Sequence, residues 1–226
     1  MDKGLSSFIQ KLNLVAQPVI SIEGVSSDAF LLTTERAHSF LPGQVVAVTS
    51  EKKLAPRIYS LCTAPDEHAM GILFNIKPGG LLTPQLARIK KGDKVYVSAP
   101  FGAFLGDDRP GWWIAAGTGI APFRSMARFG MGANKMLIHG SRLVEGFYFS
   151  DEFSSTFGDR YVRCCSQENG KGIYSGRLTS WLRQHKSFDP QLQYYLCGSA
   201  EMVVEVRDIL LGGGVGLSSI MSEIYF

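Results

Sequence analysis

Gly111-Trp112-Trp113-Ile114-Ala115-Ala116-Gly117-Thr118-Gly119-Ile120-Ala121-Pro122 reads as a buried strand, a glycine turn and the opening of a helix. The first six residues carry no charge, as expected of a strand covered on both faces. Gly117 and Gly119 let backbone approach a neighbour or a phosphate closely. Pro122 suits the first helical turn, where no N–H is needed. The amides and the positive helix end would attract an anion such as a pyrophosphate. Pro122 stands where a full GxGxxG would have its third glycine, so a purely structural turn fits about as well as a nucleotide site.

C-terminal to this stretch, helix and strand alternate. A helix is expected over 121–128, strands over 135–139, 161–165 and 193–197, and helices over 177–184 and 201–211, the last with Met202, Val203, Val206, Ile209 and Leu210 on one face. That alternation implies a parallel sheet with helices on both faces. N-terminal to it, short strands are expected over 19–22, 30–34, 44–49, 58–63, 71–76 and 94–98. Turns such as Pro42-Gly43 and Gly92-Asp93 separate them, and one short helix is expected over 84–90. The reading is therefore two domains. An antiparallel β-barrel over 1–108 precedes an α/β parallel-sheet domain over 109–226, with the boundary in Asp107-Asp108-Arg109-Pro110-Gly111.

The 226 residues are 45% hydrophobic and 19% charged, a globular composition. A net charge of +3 is too small to argue for nucleic acid. No apolar run has a membrane-spanning length, and the N-terminus lacks a secretory pattern, so a cytoplasmic protein is expected. The four cysteines, Cys62, Cys164, Cys165 and Cys197, form no CxxC pair, which argues against zinc or an iron–sulfur cluster.

Four further motifs each have a plain and a functional reading. Cys197-Gly198 ends a strand and precedes a helix, so Cys197 would face the same crevice as Thr118 or be a core cysteine. Period 2 in Arg57-Ile58-Tyr59-Ser60 puts Arg57 and Tyr59 on one face, as sheet decoration or as a fork and ring for a phosphate and a flat group. In Gly79-Gly80-Leu81-Leu82-Thr83, Thr83 reads as an N-cap, and the helix-end amides as a second phosphate cradle. The aromatic ending, Glu223-Ile224-Tyr225-Phe226, either closes a sheet edge or stacks on a planar cofactor.

Taken together and in this order, these motifs make the chain similar to the ferredoxin–NADP reductase family, in brevity and ending to its bacterial ferredoxin (flavodoxin) reductases. The resemblance implies a flavin site at Arg57, Ile58, Tyr59 and Ser60, with Ile76 and the turn Gly80, Leu81, Leu82 and Thr83. It implies a nicotinamide nucleotide site at Gly117, Thr118, Gly119, Pro122, Cys197, Gly198 and Met202. Glu223 and Tyr225 match the family's C-terminal Glu-x-Tyr, with Phe226 as an added aromatic. The family's Ser-Arg-Glu at the 2′-phosphate site reads Ser166-Gln167-Glu168 here, while Arg177 is kept; Ser141, Arg142 and Lys171 are nearby candidates. NADP(H) is favoured, while the neutral Gln167 in place of the family's arginine leaves NAD(H) use open.

By the same resemblance, FAD is expected between the domains with Tyr59 and Tyr225 on its two faces. Ser60, Cys197, Glu223 and Tyr225 are then the catalytic residues for hydride transfer between NAD(P)H and the flavin. Electrons would go to or from ferredoxin or flavodoxin, with Lys52-Lys53 and Lys90-Lys91 steering an acidic carrier to a monomer. An oxygenase reductase component, or a free flavin or quinone reductase, is the nearest alternative. A flavin electron-transfer subunit without NAD(P)H turnover is an alternative of another class.

Overall fold

The structure is a computed structural model that describes residues 12–225. The chain divides into two compact units. The first runs to Leu105 and takes in Arg124–Phe129; the second comprises Gly106–Phe123 and the chain from Gly130 onward.

The first unit is an antiparallel six-stranded sheet curled nearly into a barrel. Its strands are β1 (Leu14–Gly24), β2 (Ala29–Glu35), β3 (Val45–Thr49), β4 (Arg57–Ser60), β5 (Ala69–Asn75) and β6 (Lys94–Ser98). They lie in the order β4-β3-β6-β1-β2-β5. The two ends of that order meet through a bridge between Leu61 and Ile72 and a hydrogen bond from the Cys62 amide to the Gly71 carbonyl, 2.9 Å. Closure removes the open edges that an antiparallel sheet would otherwise expose. The inward-facing set, including Leu32, Val46, Val48, Leu61, Ile72 and Val97, is almost fully buried. A cavity of about 10 Å³ remains among them, room for roughly one water. The barrel interior is therefore a packed core, and a planar ligand has no place inside it.

The second unit is a parallel sheet of β7 (Gly111–Ala116), β8 (Lys135–Ser141), β9 (Tyr161–Cys165), β10 (Tyr174–Ser175), β11 (Gln193–Ser199) and β12 (Ile220–Tyr225). Its order is β10-β9-β8-β7-β11-β12. The chain starts in the middle, moves outward through β8, β9 and β10, then returns to the other side of β7. Such a reversal opens a crevice at the carboxyl ends of the two central strands, here β7 and β11.

Four of the five described helices belong with this half of the sequence: α2 (Ala121–Arg128), α3 (Ser150–Phe157), α4 (Leu178–Leu182) and α5 (Ala200–Gly212). The fifth, α1 (Thr83–Leu86), lies in the first unit. The fully buried Lys135 donates through Nζ to Asp107, 2.9 Å, and to the Arg109 carbonyl. These bonds tie the incoming chain to the start of β8 and satisfy a cation that burial would otherwise penalise.

Several elements differ from the sequence reading. The strand expected over 19–22 extends to eleven residues as β1, because pairing with β6 holds its first half and pairing with β2 its second. The helix expected over 84–90 is a single turn. Thr83 is its first residue and not its cap; the Thr83 hydroxyl instead accepts from the Lys77 amide, 2.8 Å. Helix α3 and strand β10 are additional to the elements expected from the sequence. The aromatic C-terminal segment is the edge strand β12, whereas Phe226 lies outside the described residues.

Candidate functional site

The turn after β7 is built by steric necessity. Residues Gly117–Ile120 form one 3₁₀ turn leading directly into α2. Gly117 has φ +56°, a left-handed conformation that costs any other L-residue energy, and no atom lies within 4 Å of where its Cβ would stand. Gly119 is constrained differently. A Cβ there would stand 2.6 Å from the Cys197 carbonyl carbon and 2.9 Å from the Gly198 amide nitrogen. Gly119 therefore brings the turn after β7 onto the end of β11, at the reversal of strand order. Gly198 is closed on its other side, since a Cβ there would meet Met202 Cε at 2.5 Å. Open space over Gly117 and a glycine-lined floor suit a pyrophosphate and a flat ring, so the residues present fit a dinucleotide.

Cys197 is fully buried, and burial pushes its thiol well above the usual cysteine range. The nearby Glu223 carboxylate adds to this, while a hydrogen bond with Tyr225 opposes it. Parallel pairing explains the grouping, with Cys197 opposite Glu223 and Ser199 opposite Tyr225 in the β11–β12 register. The crevice and core readings of Cys197 thus meet: its backbone borders the crevice, while its thiol is a neutral, water-excluded group. Glu223 and Tyr225 are half-buried.

The expected 2′-phosphate residues converge on the carboxyl edge of β8, β9 and β10. Ser141 and Cys165 are paired; the Ser166 amide donates to the Ser141 carbonyl, 3.1 Å, and the Gln167 amide to the Arg142 carbonyl, 3.0 Å. The Gly176 amide donates to the Cys165 carbonyl, 2.7 Å, which brings Arg177 alongside. Arg142, Gln167, Lys171 and Arg177 are exposed. Glu168 accepts from the Val144 amide, 2.5 Å, and so braces the loop that follows Arg142.

Two residues here escaped the sequence reading. The Tyr174 ring lies on the same edge, 2.9 Å from a Cβ built on Gly176, and its hydroxyl accepts from Gln184, 2.8 Å. Its place between Gly172 and Gly176 was the available signal. Glu201 pairs with Arg177, a contact between separate elements that no local pattern announces.

In the first unit, Arg57 is exposed on β4, and Ser60 is buried three residues on. Tyr59 is not the exposed partner of Arg57 that the alternation predicted. Its ring is half-buried, with its edge toward Phe74 at a centroid distance of 6.3 Å, because strand closure brings β5 against it. Burial raises its hydroxyl pKa, with the charge of Arg57 opposing, so the group stays protonated. Leu81 is 73% exposed, beside Gly79 with φ +72° and open space over its Cβ position. Ile76 is half-buried, and Leu82 is core. An exposed guanidinium, an aromatic two residues on, and an open glycine turn with an uncovered leucine fit a flavin nucleotide laid on the barrel's outer surface.

Residues 113–208 match the family model described as Oxidoreductase NAD-binding domain. The chain is 29% identical to the ferredoxin–NADP reductase of Azotobacter vinelandii, over 93% of this chain and 94% of that protein. These comparisons support a likeness to the ferredoxin–NADP reductase family. The toluate 1,2-dioxygenase electron transfer component of Pseudomonas putida is 28% identical over 78% of this chain, which spans only 56% of that longer relative. A crystal structure of a ferredoxin NADP+ reductase from Neisseria gonorrhoeae with bound FAD and NADP shares the fold, with a TM-score of 0.86 and 19% identity over 96% of this chain and all of that one. The glycine turn after β7 and the Cys-Gly pair near the end of β11 lie inside the matched domain.

Proposed function

We propose that the chain is a flavin-dependent oxidoreductase that moves a hydride between NADP(H) and FAD and exchanges electrons with a ferredoxin or flavodoxin. The observation that carries this reading is the close approach of Gly119 to Cys197 and Gly198 at the sheet's reversal point, the placement expected of a dinucleotide crevice. FAD, when bound, supplies the conversion between two-electron hydride chemistry and one-electron transfer.

The protein's part is binding, orientation and exclusion of water. Arg57 offers a bidentate donor to a diphosphate, Tyr59 an aromatic face to a flat ring, and Ser60 a hydroxyl held by burial. Ile76 and the turn Gly80–Thr83 complete the flavin contacts on the first unit. On the second, Gly117, Thr118, Gly119 and Pro122 receive the pyrophosphate of NADP(H), and Tyr174 offers a ring face to the adenine. Ser141, Arg142, Ser166, Gln167 and Arg177 meet the 2′-phosphate. Cys197, Gly198 and Met202 floor the nicotinamide subsite, Tyr225 covers it until the nicotinamide enters, and Glu223 offers a carboxylate there to relay a proton. The basic pairs Lys52-Lys53 and Lys90-Lys91 favour an acidic electron carrier. Lys52 already lies over the Tyr96 ring at 5.5 Å, which leaves Lys53, Lys90 and Lys91 as the stronger contributors.

The reading supports a cytoplasmic monomer, and no described helix is long and apolar enough to cross a membrane. The similarity to a dioxygenase electron transfer component keeps an oxygenase-reductase role as the second reading.

The purified chain should be yellow or take up FAD, and anaerobic NADPH should bleach it. Reduction of ferredoxins and flavodoxins, set against reduction of oxygenase components, then decides the acceptor class. A colourless chain that refuses FAD ends the proposal.

A further inference from the structure

Arg177 precedes α4, and its Nη2 donates to Glu201 Oε1 at 2.8 Å. Both side chains are exposed, at 61% and 74%, so the pair is open to competition from a solvent anion. Glu201 sits in the first turn of α5, where the helix dipole favours a carboxylate. Glu205, one turn further along, pairs with Arg183 at 2.8 Å, and its charge reaches Arg177 more weakly than that of Glu201. At the same edge, Arg142 is exposed and has no carboxylate partner among the described residues, and Gln167 is neutral.

We propose that Glu201 sets coenzyme specificity by competing with the 2′-phosphate of the dinucleotide for Arg177. This rests on the reading of the second unit as a dinucleotide site. A 2′-phosphate that reaches Arg177 must displace the Glu201 carboxylate or lie beside it, and the two are like-charged. A dinucleotide without the 2′-phosphate meets no such opposition. With one cation contested and one position neutral, the exposed Arg142 and Lys171 are left as the uncontested charges. The chain therefore discriminates between phosphorylated and unphosphorylated dinucleotides less than Gly176-Arg177 alone would suggest. The contest takes place in solvent, so its effect is modest and screened by salt.

The test is calorimetric binding of adenosine 2′,5′-bisphosphate and of 5′-AMP to the full chain, with or without flavin. Glu201→Gln should raise the ratio of bisphosphate to AMP affinity by about three- to tenfold at low salt, and by less at high salt. Arg177→Gln should lower that ratio, and adding Glu201→Gln to it should change nothing further. An unchanged ratio in Glu201→Gln, or an equal gain without Arg177, would overturn the assignment while leaving the dinucleotide site standing. If the unmodified chain binds neither probe, the dinucleotide reading itself fails and takes the assignment with it.

Discussion

The Nδ1 of His139 lies 3.0 Å from the Tyr161 hydroxyl, inside the second unit, with the imidazole fully buried. Phe147 covers the ring edge-on at 5.2 Å, and Nε2 has no hydrogen-bond partner among the described residues. Burial, aided by the charge of Arg163, holds the imidazole pKa down to about 3. The unfolded chain would protonate this histidine near pH 6.5, so it binds the proton that the folded chain refuses. Stability from this group is thus complete above about pH 6.5 and declines as pH falls toward 3, at up to about 1.4 kcal/mol per pH unit. Urea midpoints measured between pH 4.5 and 7.5 should show the slope, and His139→Gln should flatten it. An equal slope in the variant would move the effect to other groups.

The two turn glycines should separate in their cost. Gly117→Ala meets open space and bears only the left-handed backbone penalty, about 1–2 kcal/mol. Gly119→Ala drives a methyl into the backbone of Cys197 and should cost about 3 kcal/mol or more, together with loss of dinucleotide binding. Denaturation midpoints and nucleotide titration read the two effects. Equal costs would contradict the close approach.

Tyr225→Ser removes the ring whose hydroxyl hydrogen-bonds with Cys197 at the end of β12. Nicotinamide affinity should rise, since no side chain then has to be displaced; unchanged affinity would take Tyr225 out of the subsite. Cys197→Ala should slow flavin reduction while flavin content stays normal. A full-rate variant would make the residue purely structural.

Gln167→Arg places a second cation beside Arg142 on the loop after β9. A charge-assisted contact is worth about 1.5–3 kcal/mol, so the ratio of NADPH to NADH efficiency should rise by about one to two decades. Steady-state kinetics with both coenzymes check this.

Much of the architecture was legible because it rests on local chemistry. Trp112 to Ala116 form a strand between two covered faces, and Pro122 opens a helix where proline is tolerated, so β7 and α2 fall at their expected bounds. Helix α3 was hidden because Ser150-Asp151-Glu152-Phe153-Ser154-Ser155-Thr156-Phe157 is rich in residues that favour turns. Burial of Phe153 and Phe157, a tertiary effect, makes it a helix. The same distinction runs through the site. Glycines announce themselves by their own conformational freedom, whereas the burial of Tyr59 and the Arg177–Glu201 pair depend on segments meeting in space.

The central position of β7 has a consequence for synthesis. Gly111 pairs with Lys135 on one side and Gln193 on the other. As the nascent polypeptide leaves the ribosome, β7 can acquire its β8 neighbour early. Its opposite flank stays bare until Gln193–Ser199 has been translated. During that interval an apolar strand is open to proteases and to sticking between chains. Translation pauses between β10 and β11 would lengthen this vulnerable period, and chaperone dependence should concentrate there.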